Sequence, residues 1–343
     1  MALVLLIALA IWFGGGLLGM PRGLRAGMLA VMFVALIALH LVFPADHPMR
    51  LGTGGSAAPW LLLAGFAALV ALYRLGLSTL RARATPVDAP PSSGSFSDSE
   101  LNRYARHIVL REVGGAGQKA LKNAKVLVVG AGGLGAPALQ YLAAAGVGTI
   151  GVIDDDTVEN ANLQRQVIHK DASIGMPKVF SAQAEMLAQN PHITVRPYHR
   201  RLSDDIAEAL IADYDLVLDG TDNSDTRYRV NAACVAAGVP LISGALSQWE
   251  GQLSVFDPAR GAPCYRCVFP EAAAAGLAPS CAEAGVIGPL PGVIGTMMAL
   301  EAVKLITGAG SVLRGQMMIY DGLYGENRQI TITRRKGCET CGG

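Results

Sequence analysis

The chain has 343 residues, which is enough for one large domain with an appendage. Its formal net charge of +1 creates no overall field that would attract nucleic acid, so no nucleic-acid partner is expected. Hydrophobic residues make up 51% of the chain and are concentrated in the first eighty or so positions, which contain no Lys and no Glu. This distribution predicts a membrane region followed by a soluble domain.

Three apolar runs occupy roughly residues 3–20, 24–43 and 57–73. Each is close to the ~20 residues that a membrane-spanning helix needs, and the first, with glycines at 14–16, is the weakest candidate. A signal peptide is the alternative for the first run. It would begin with basic residues, whereas the first charge here is Arg22, and two further apolar runs follow. Residues 1–83 are therefore predicted to form a membrane region with three candidate transmembrane helices.

The arginines predict the orientation of this region. Arg22 and Arg25 lie at the junction of the first two runs, and Arg74, Arg81 and Arg83 follow the third. The positive-inside rule places both groups in the cytoplasm. The expected location is the inner (plasma) membrane, with several spans and a cytoplasmic catalytic domain. Residues 84–97, rich in Pro, Ser and Gly, are expected to be a linker with a reach of roughly 20 Å.

Residues 98–343 alternate short β-rich runs with helical stretches, which is typical of an α/β domain with a mainly parallel sheet covered by helices. We therefore predict a Rossmann-like fold preceded by transmembrane α-helices. The expected strands are 125–129, 149–154, 194–198, 215–219, 240–243 and 251–256, with a late hairpin formed by 317–320 and 329–333.

A glycine-rich turn follows the first of these strands and leads into a helix; its glycines are Gly130, Gly132, Gly133 and Gly135. In this context glycines let the backbone turn tightly and approach a phosphate at the helix N-terminus. The next strand ends in three carboxylates from Asp154 to Asp156, which can hold ribose hydroxyls. The turn alone does not distinguish NAD or FAD from ATP.

Two cations favour ATP. Arg165 follows the acidic cluster, and Pro177 suits the start of a helix, which would place Lys178 in its first turn. Hydride transfer needs no such pair, whereas charge that develops on pyrophosphate does. Asp222, after the strand that ends at Asp219, is expected at the carboxyl edge of the sheet, where ligands bind, although it could instead cap a turn.

Two other classes of function remain open at this point. An NAD- or FAD-dependent oxidoreductase would use the glycine turn and Asp154 but leave the cations idle. A membrane scaffold with a degenerate nucleotide fold would use neither the glycine turn and Asp154 nor the two cations.

Four of the six cysteines form two CxxC pairs, namely Cys264, Cys267, Cys338 and Cys341. Four thiolates match a tetrahedral structural zinc, and a redox pair is the alternative. About seventy residues separate the pairs, so the metal would join the C-terminal tail to a distant loop.

The soluble part resembles the MoeB/ThiF/HesA family, the bacterial relatives of ubiquitin-activating E1 enzymes. The resemblance extends over about residues 97–343 and is strongest to the molybdopterin-synthase adenylyltransferase branch. It is carried in order by RYAR (103–106), GAGGLG, DDDTVENANLQRQ, GMPK, DGTDN, CYRC, SCAEAGV and GCETC. The membrane spans are not part of the family pattern.

The resemblance implies roles for individual residues. Asp154 would hold the ATP ribose, and Asp222 would hold Mg²⁺. Asn162, Arg165 and Lys178 would contact the phosphates. Arg106 would reach the triphosphate of the partner subunit in a homodimer. Cys281 would either link covalently to a carrier protein or be an unreactive small residue.

The implied reaction is ATP-dependent adenylylation of the C-terminal glycine carboxylate of a small ubiquitin-like sulfur-carrier protein that ends in Gly-Gly, with release of pyrophosphate. The first expected carrier is the molybdopterin-synthase small subunit, in molybdenum cofactor biosynthesis; the alternative is the thiazole-pathway carrier. The expected cofactors are ATP, Mg²⁺ and Zn²⁺. No rhodanese domain follows the last CxxC in this sequence, so a separate sulfur donor is expected.

Overall fold

The structure is a computed structural model that describes residues 2–83, 96–272 and 284–342. The chain divides into two compact units, Met1–Val87 and Asp88–Gly343.

Every secondary-structure element described in the first unit is a helix. Its helices are α1 (Ala2–Leu9), a π-helical turn (Ala10–Gly14), α2 (Gly15–Leu17), α3 (Arg22–Val42), α4 (Pro48–Gly52) and α5 (Ala58–Arg83). Val4, Leu36 and Trp60 form a small core, and the Trp60 indole donates a 3.0 Å hydrogen bond to the Thr53 carbonyl. Because α5 continues to Arg83, it extends ten residues beyond the predicted end of the third apolar run.

By length and composition, Gly23–Val42 and Ala58–Gly76 could each cross a membrane, and Leu6–Leu17 is a shorter apolar helix. Both long segments keep most of their apolar surface exposed within the unit.

The second unit is built around one eight-stranded sheet with the order β3-β2-β1-β4-β5-β6-β7-β8. Strands β1 to β5 run parallel, and β6 to β8 add in antiparallel fashion. The strands are β1 (Lys125–Val129), β2 (Thr149–Ile153), β3 (Thr194–Tyr198), β4 (Leu216–Asp219), β5 (Leu241–Leu246), β6 (Glu250–Phe256), β7 (Gln316–Asp321) and β8 (Glu326–Thr331). The predicted α/β class and the late hairpin are confirmed.

Two strand limits differ from the prediction by three residues, and several others differ by one or two. Strand β5 continues to Leu246, three residues beyond the predicted end, because it pairs with β6 as far as Leu246 and Gly251. Strand β8 starts at Glu326, since its pairing with β7 reaches Asp321 and leaves only a tight turn between them.

Helices cover both faces of the sheet. They are α6 (Asp98–Ile108), α7 (Gly114–Asn123), α8 (Gly135–Ala145), α9 (Lys178–Gln189), α10 (Asp204–Ala212), α11 (Ser224–Ala237), α12 (Tyr265–Val268) and α13 (Pro289–Thr307). Helix α13 is also long and apolar enough to cross a membrane, but Leu290, Ile294 and Met298 belong to the core on one face of the sheet.

The strand order determines where along the edge of the sheet a ligand can bind. Strands β1 and β4 are neighbours in the sheet, although β2 and β3 lie between them in the sequence. The connections that follow β1 and β4 therefore leave the carboxyl ends of these two strands in opposite directions. This reversal opens a crevice where open α/β sheets bind their ligands.

Candidate functional site

The glycine turn between β1 and α8 forms the floor of the crevice. Gly130 has a φ of +91°, a conformation that favours glycine, and a Cβ on Gly135 would lie 1.9 Å from the Gly130 carbonyl oxygen. The Ala131 N–H donates a 2.7 Å hydrogen bond to Asp154 Oδ2 at the end of β2. The turn is therefore compact and is fixed to the neighbouring strand.

A cavity of about 500 Å³ lies above this turn. It brings together eight of the predicted site residues: Gly130, Gly132, Gly133, Asp154, Asp156, Arg165, Lys178 and Asp222. Gly135, Asn162 and Arg106 do not line it, and Cys281 lies outside the described residues.

Lys178 is the first residue of α9, in the first turn where the sequence predicted it. Its side chain is 5% exposed, and Nζ donates to Asp156 Oδ2 at 2.7 Å, whereas the Asp156 side chain is 64% exposed. A cation at a helix N-terminus adds to the positive end of the helix dipole. Lys178 and the N-terminus of α9 therefore both place positive charge at this wall of the cavity, where the Asp156 carboxylate is the partner of Lys178.

Arg165 provides the second cation of the cavity. Its guanidinium donates to the Asn162 side-chain oxygen at 2.8 Å and to the Ala161 carbonyl at 3.3 Å. Asn162 therefore orients Arg165 instead of lining the cavity itself. The family resemblance alone did not indicate this indirect arrangement.

Asp222 stands between β4 and α11. The cap of α11 is Asn223, whose side-chain oxygen accepts from the Thr226 N–H at 2.9 Å. The carboxylate of Asp222 is exposed, and within the described part of the chain it has no hydrogen-bond or ion-pair partner. It is therefore available to an incoming cation, while Asn223 takes the capping role that the sequence left open for Asp222.

Arg227 is a site residue that sequence reasoning missed. Its buried guanidinium donates to the carbonyls of Thr221 and Gly244, the latter at 2.9 Å. Asp219, fully buried at the end of β4, accepts from the Thr221 N–H at 3.0 Å. The loop that carries Asp222 is thus held from both sides. No local motif marks Arg227, because its partners come from other elements.

His169 is a second missed residue. It is buried behind the glycine turn, within hydrogen-bonding distance of Ala131 and Ser181. The only sequence feature that pointed to His169 was its position three residues after Gln166. Gln166 is buried and, unlike His169, lines the cavity.

Arg106 lies on α6, where it is exposed. Its side chain has no hydrogen-bond or ion-pair partner among the residues that the structure describes. Arg106 therefore lies apart from the cavity, with its guanidinium in solvent.

The four predicted cysteines come together in one cluster, in which three are buried and Cys341 is half-buried. The sulfur–sulfur distances are 3.8 Å for Cys264–Cys267, 3.7 Å for Cys264–Cys338 and 3.4 Å for Cys267–Cys341. Zinc–sulfur bonds of about 2.3 Å in a tetrahedron place the sulfurs about 3.8 Å apart. Burial raises the pKa of the Cys264 and Cys267 thiols, whereas burial of Cys338 is outweighed by backbone hydrogen bonds from Cys341 and Thr340, which lower the pKa of that thiol. The donor set and its spacing are compatible with zinc.

Comparison with known proteins identifies the same fold and family. Residues 104–340 match the ThiF family. A molybdopterin-synthase adenylyltransferase from Salmonella typhimurium is 49% identical over 250 residues, which cover 72% of this chain and 98% of that protein. A sulfur carrier protein adenylyltransferase from Thermus thermophilus is 47% identical over 251 residues, covering 72% and 93% of the two chains.

Among solved structures, E. coli MccB with MccA-N7isoASN superposes with a TM-score of 0.63 at 24% identity, covering 72% of this chain and 76% of that one. At that identity the likeness concerns the fold alone. The family match covers most of the second unit and includes the glycine turn, Lys178, Asp222 and three of the four clustered cysteines, ending one residue before Cys341. The chain belongs to the ThiF family.

Proposed function

We propose that this chain adenylylates the C-terminal carboxylate of a small ubiquitin-like sulfur-carrier protein. The observation that carries the proposal is the cavity at the carboxyl edge of β1 and β4. It combines a phosphate-type glycine turn, two cations and a free carboxylate, in a chain whose relatives are named as adenylyltransferases of this kind.

The reaction balances without a general base. A terminal glycine carboxylate has a reference pKa of about 3.5 and is already ionised at neutral pH. One of its oxygens bonds to the α-phosphorus of ATP, and the bond from that phosphorus to the bridging oxygen breaks. The products are an acyl-adenylate and pyrophosphate. The protein must therefore align two anions and stabilise the charge on the leaving group.

The chain's own residues are suited to these tasks. Lys178 and Arg165 would stabilise the phosphates, with Asn162 orienting Arg165. The N–H groups of Gly132 and Gly133 line the same cavity and have no acceptor within the described residues. Both carboxylate oxygens of Asp154 accept backbone N–H groups, from Ala131 and Asp156, which fixes it for a ribose hydroxyl.

Two metal ions complete the proposal. Asp222 would hold Mg²⁺, which neutralises phosphate charge and orients the triphosphate when bound. The cysteine cluster would hold a structural Zn²⁺. Because its four thiolates fill a tetrahedral site, no position is left for substrate, and we assign this zinc no catalytic step.

Arg106 supports a homodimeric enzyme. It lies outside the cavity of its own chain, and its charge has no partner among residues 2–83, 96–272 and 284–342. We propose that it completes the cavity of a second subunit by contacting the triphosphate there.

The first unit supports a location at the inner membrane. Its two long helices expose apolar residues, such as Val31 and Val34 on α3 and Leu62 and Phe66 on α5. We propose that this unit crosses the membrane and keeps the catalytic unit in the cytoplasm. Alkaline carbonate washing of membranes and reporter fusions after Arg83 test this location; a chain released by carbonate contradicts it.

ATP–pyrophosphate exchange tests the activity. Exchange should depend on a carrier that ends in Gly-Gly, and a carrier lacking its last glycine is the matched control. The molybdopterin-synthase small subunit is the first carrier to assay, and the thiazole carrier is the second. ATP binding without exchange with either carrier contradicts the proposal, and an absorbance change with NADH would support an oxidoreductase instead.

A further inference from the structure

The buried imidazole of His169 lies between the glycine turn and helix α9. Nε2 is 2.9 Å from the Ala131 carbonyl oxygen, and Nδ1 is 3.0 Å from the Ser181 hydroxyl. His169, Ala131 and Ser181 are all buried. The ring therefore connects two elements that contribute directly to the cavity wall.

The partners determine where the ring carries its proton. A carbonyl oxygen only accepts, so Nε2 must carry the hydrogen and donate to Ala131. In the neutral ring Nδ1 then accepts from the Ser181 hydroxyl. Burial lowers the pKa of His169 below its ordinary value, and the charge of Lys178 acts in the same direction, which keeps the ring neutral.

This contact orients the peptide between Ala131 and Gly132. A trans peptide is planar, so its C=O and N–H groups point in opposite directions, and no cis bond is found in the described chain. Because His169 holds the Ala131 carbonyl on the buried side, the Gly132 N–H points away from His169. Gly132 lines the cavity, and within the described chain its N–H has no acceptor.

The other end of the bridge reaches Lys178. Ser181 lies one turn after Lys178 on α9, so a ring bonded to Ser181 and Ala131 sets the spacing between the lysine wall and the glycine turn. Asp154 supports the same alanine from the opposite side through the Ala131 N–H. Ala131 is thus held at both its N–H and its C=O.

We infer that His169 is a positioning residue for the triphosphate of ATP: with Ser181, it aims the Gly132 N–H at the phosphates and fixes their distance from Lys178. It does not touch substrate and exchanges no proton during the reaction. The inference rests on the proposed adenylyltransferase activity and adds a positioning element to its phosphate site.

Substitutions can separate the two ends of the bridge in the full-length protein. In His169→Gln the side-chain nitrogen occupies the place of Nε2 and still donates to Ala131. In His169→Asn the amide reaches only as far as Nδ1, so the bond to Ser181 is kept and the bond to Ala131 is lost. His169→Phe keeps an aromatic ring in place but loses both hydrogen bonds. Ser181→Ala removes only the hydrogen-bond partner of Nδ1.

We expect His169→Gln to keep kcat/KM for ATP within about 5-fold of the parent, whereas His169→Asn and His169→Phe lose about 10- to 100-fold, the scale of a small misplacement of reacting groups. Ser181→Ala should fall between these variants. The loss should appear in KM for ATP and in kcat, with KM for the carrier unchanged, and thermal unfolding of each variant should be recorded alongside. Nitrogen chemical shifts of the ring should report a hydrogen on Nε2 alone.

Equal losses in the Gln and Asn variants, a matching rise in KM for the carrier, or losses that only follow lowered thermal stability would overturn the inference. Calorimetric measurement of ATP binding tests the inference separately from the proposed function. If the parent shows no exchange with any carrier, the proposed activity fails. The inference then stands if His169→Asn binds ATP more weakly than His169→Gln, and fails if both bind alike.

Discussion

Replacing Lys178 with Met should separate catalysis from stability. The lysine side chain is 5% exposed, but its partner Asp156 is 64% exposed and remains hydrated when the cation is removed. An ion pair with such an exposed carboxylate contributes at most about 1 kcal/mol. Methionine fills the space of the aliphatic stem, so the free energy of unfolding should change by less than about 1 kcal/mol.

The catalytic effect of Lys178→Met should be much larger. Removing one preorganised group that stabilises transition-state charge costs about 10²- to 10³-fold in rate, or roughly 3–4 kcal/mol. The assay is carrier-dependent ATP–pyrophosphate exchange by the full-length chain in detergent, with thermal unfolding measured on the same samples.

Lys122→Met is the matched control, because Lys122 is also a paired lysine but does not line the cavity. Lys122 is 14% exposed, its partner Glu100 is 2% exposed, and they are 2.7 Å apart. Removing this cation leaves a buried carboxylate without its main partner, at a cost of about 3 kcal/mol. For a domain of this size that is roughly a 10 °C loss in Tm, with kcat unchanged. Near-normal exchange by Lys178→Met, or a loss of Tm matching the control, would refute the reasoning.

The remaining predictions concern the metal, the cysteine outside the described residues and the dimer. The purified protein should contain about one zinc per chain by elemental analysis, and Cys338→Ser should lose both metal and thermal stability; a metal-free protein of full stability contradicts this. Cys281→Ala should leave pyrophosphate exchange largely intact, because the carrier's own carboxylate attacks ATP; a loss as large as that of Lys178→Met would show that order of events to be wrong. Mixing Arg106→Ala with Asp222→Ala should restore activity through heterodimers with one complete cavity, and a chain lacking residues 1–83 should remain an active soluble dimer. An active monomer, or a mixture that exchanges subunits and stays inactive, excludes that arrangement.

The sequence predicted the parts of the site that depend on local geometry. The glycine turn needs a tight bend next to a helix, and Pro177 indicated the start of α9, so the positions of Gly130 and Lys178 followed from neighbouring residues alone. The four cysteines followed from coordination chemistry, which demands that they meet wherever the chain takes them.

The supporting residues could not be predicted in the same way. His169 contacts Ala131, 38 positions away, and Arg227 contacts Gly244 across two elements. Such bonds depend on strand order and helix packing, which leave no periodic signal. Asn162 was assigned to phosphate, but only the folded chain reveals that its oxygen accepts from Arg165.

Helix α13 has a consequence for the proposed membrane topology. By hydropathy alone, Pro289–Thr307 would be counted as a transmembrane helix. Such a helix would place Cys338 on the opposite side of the membrane from Cys264. The sheet forbids that result, since β6 precedes this helix, β7 follows it, and the two strands are direct hydrogen-bonded neighbours. Both ends of the helix must therefore stay in one compartment. In the proposed membrane-bound chain, the core face of α13, with Leu290 and Met298, would have to pack on the sheet before the insertion machinery moved the helix into lipid. Folding and insertion would therefore compete for α13 during synthesis.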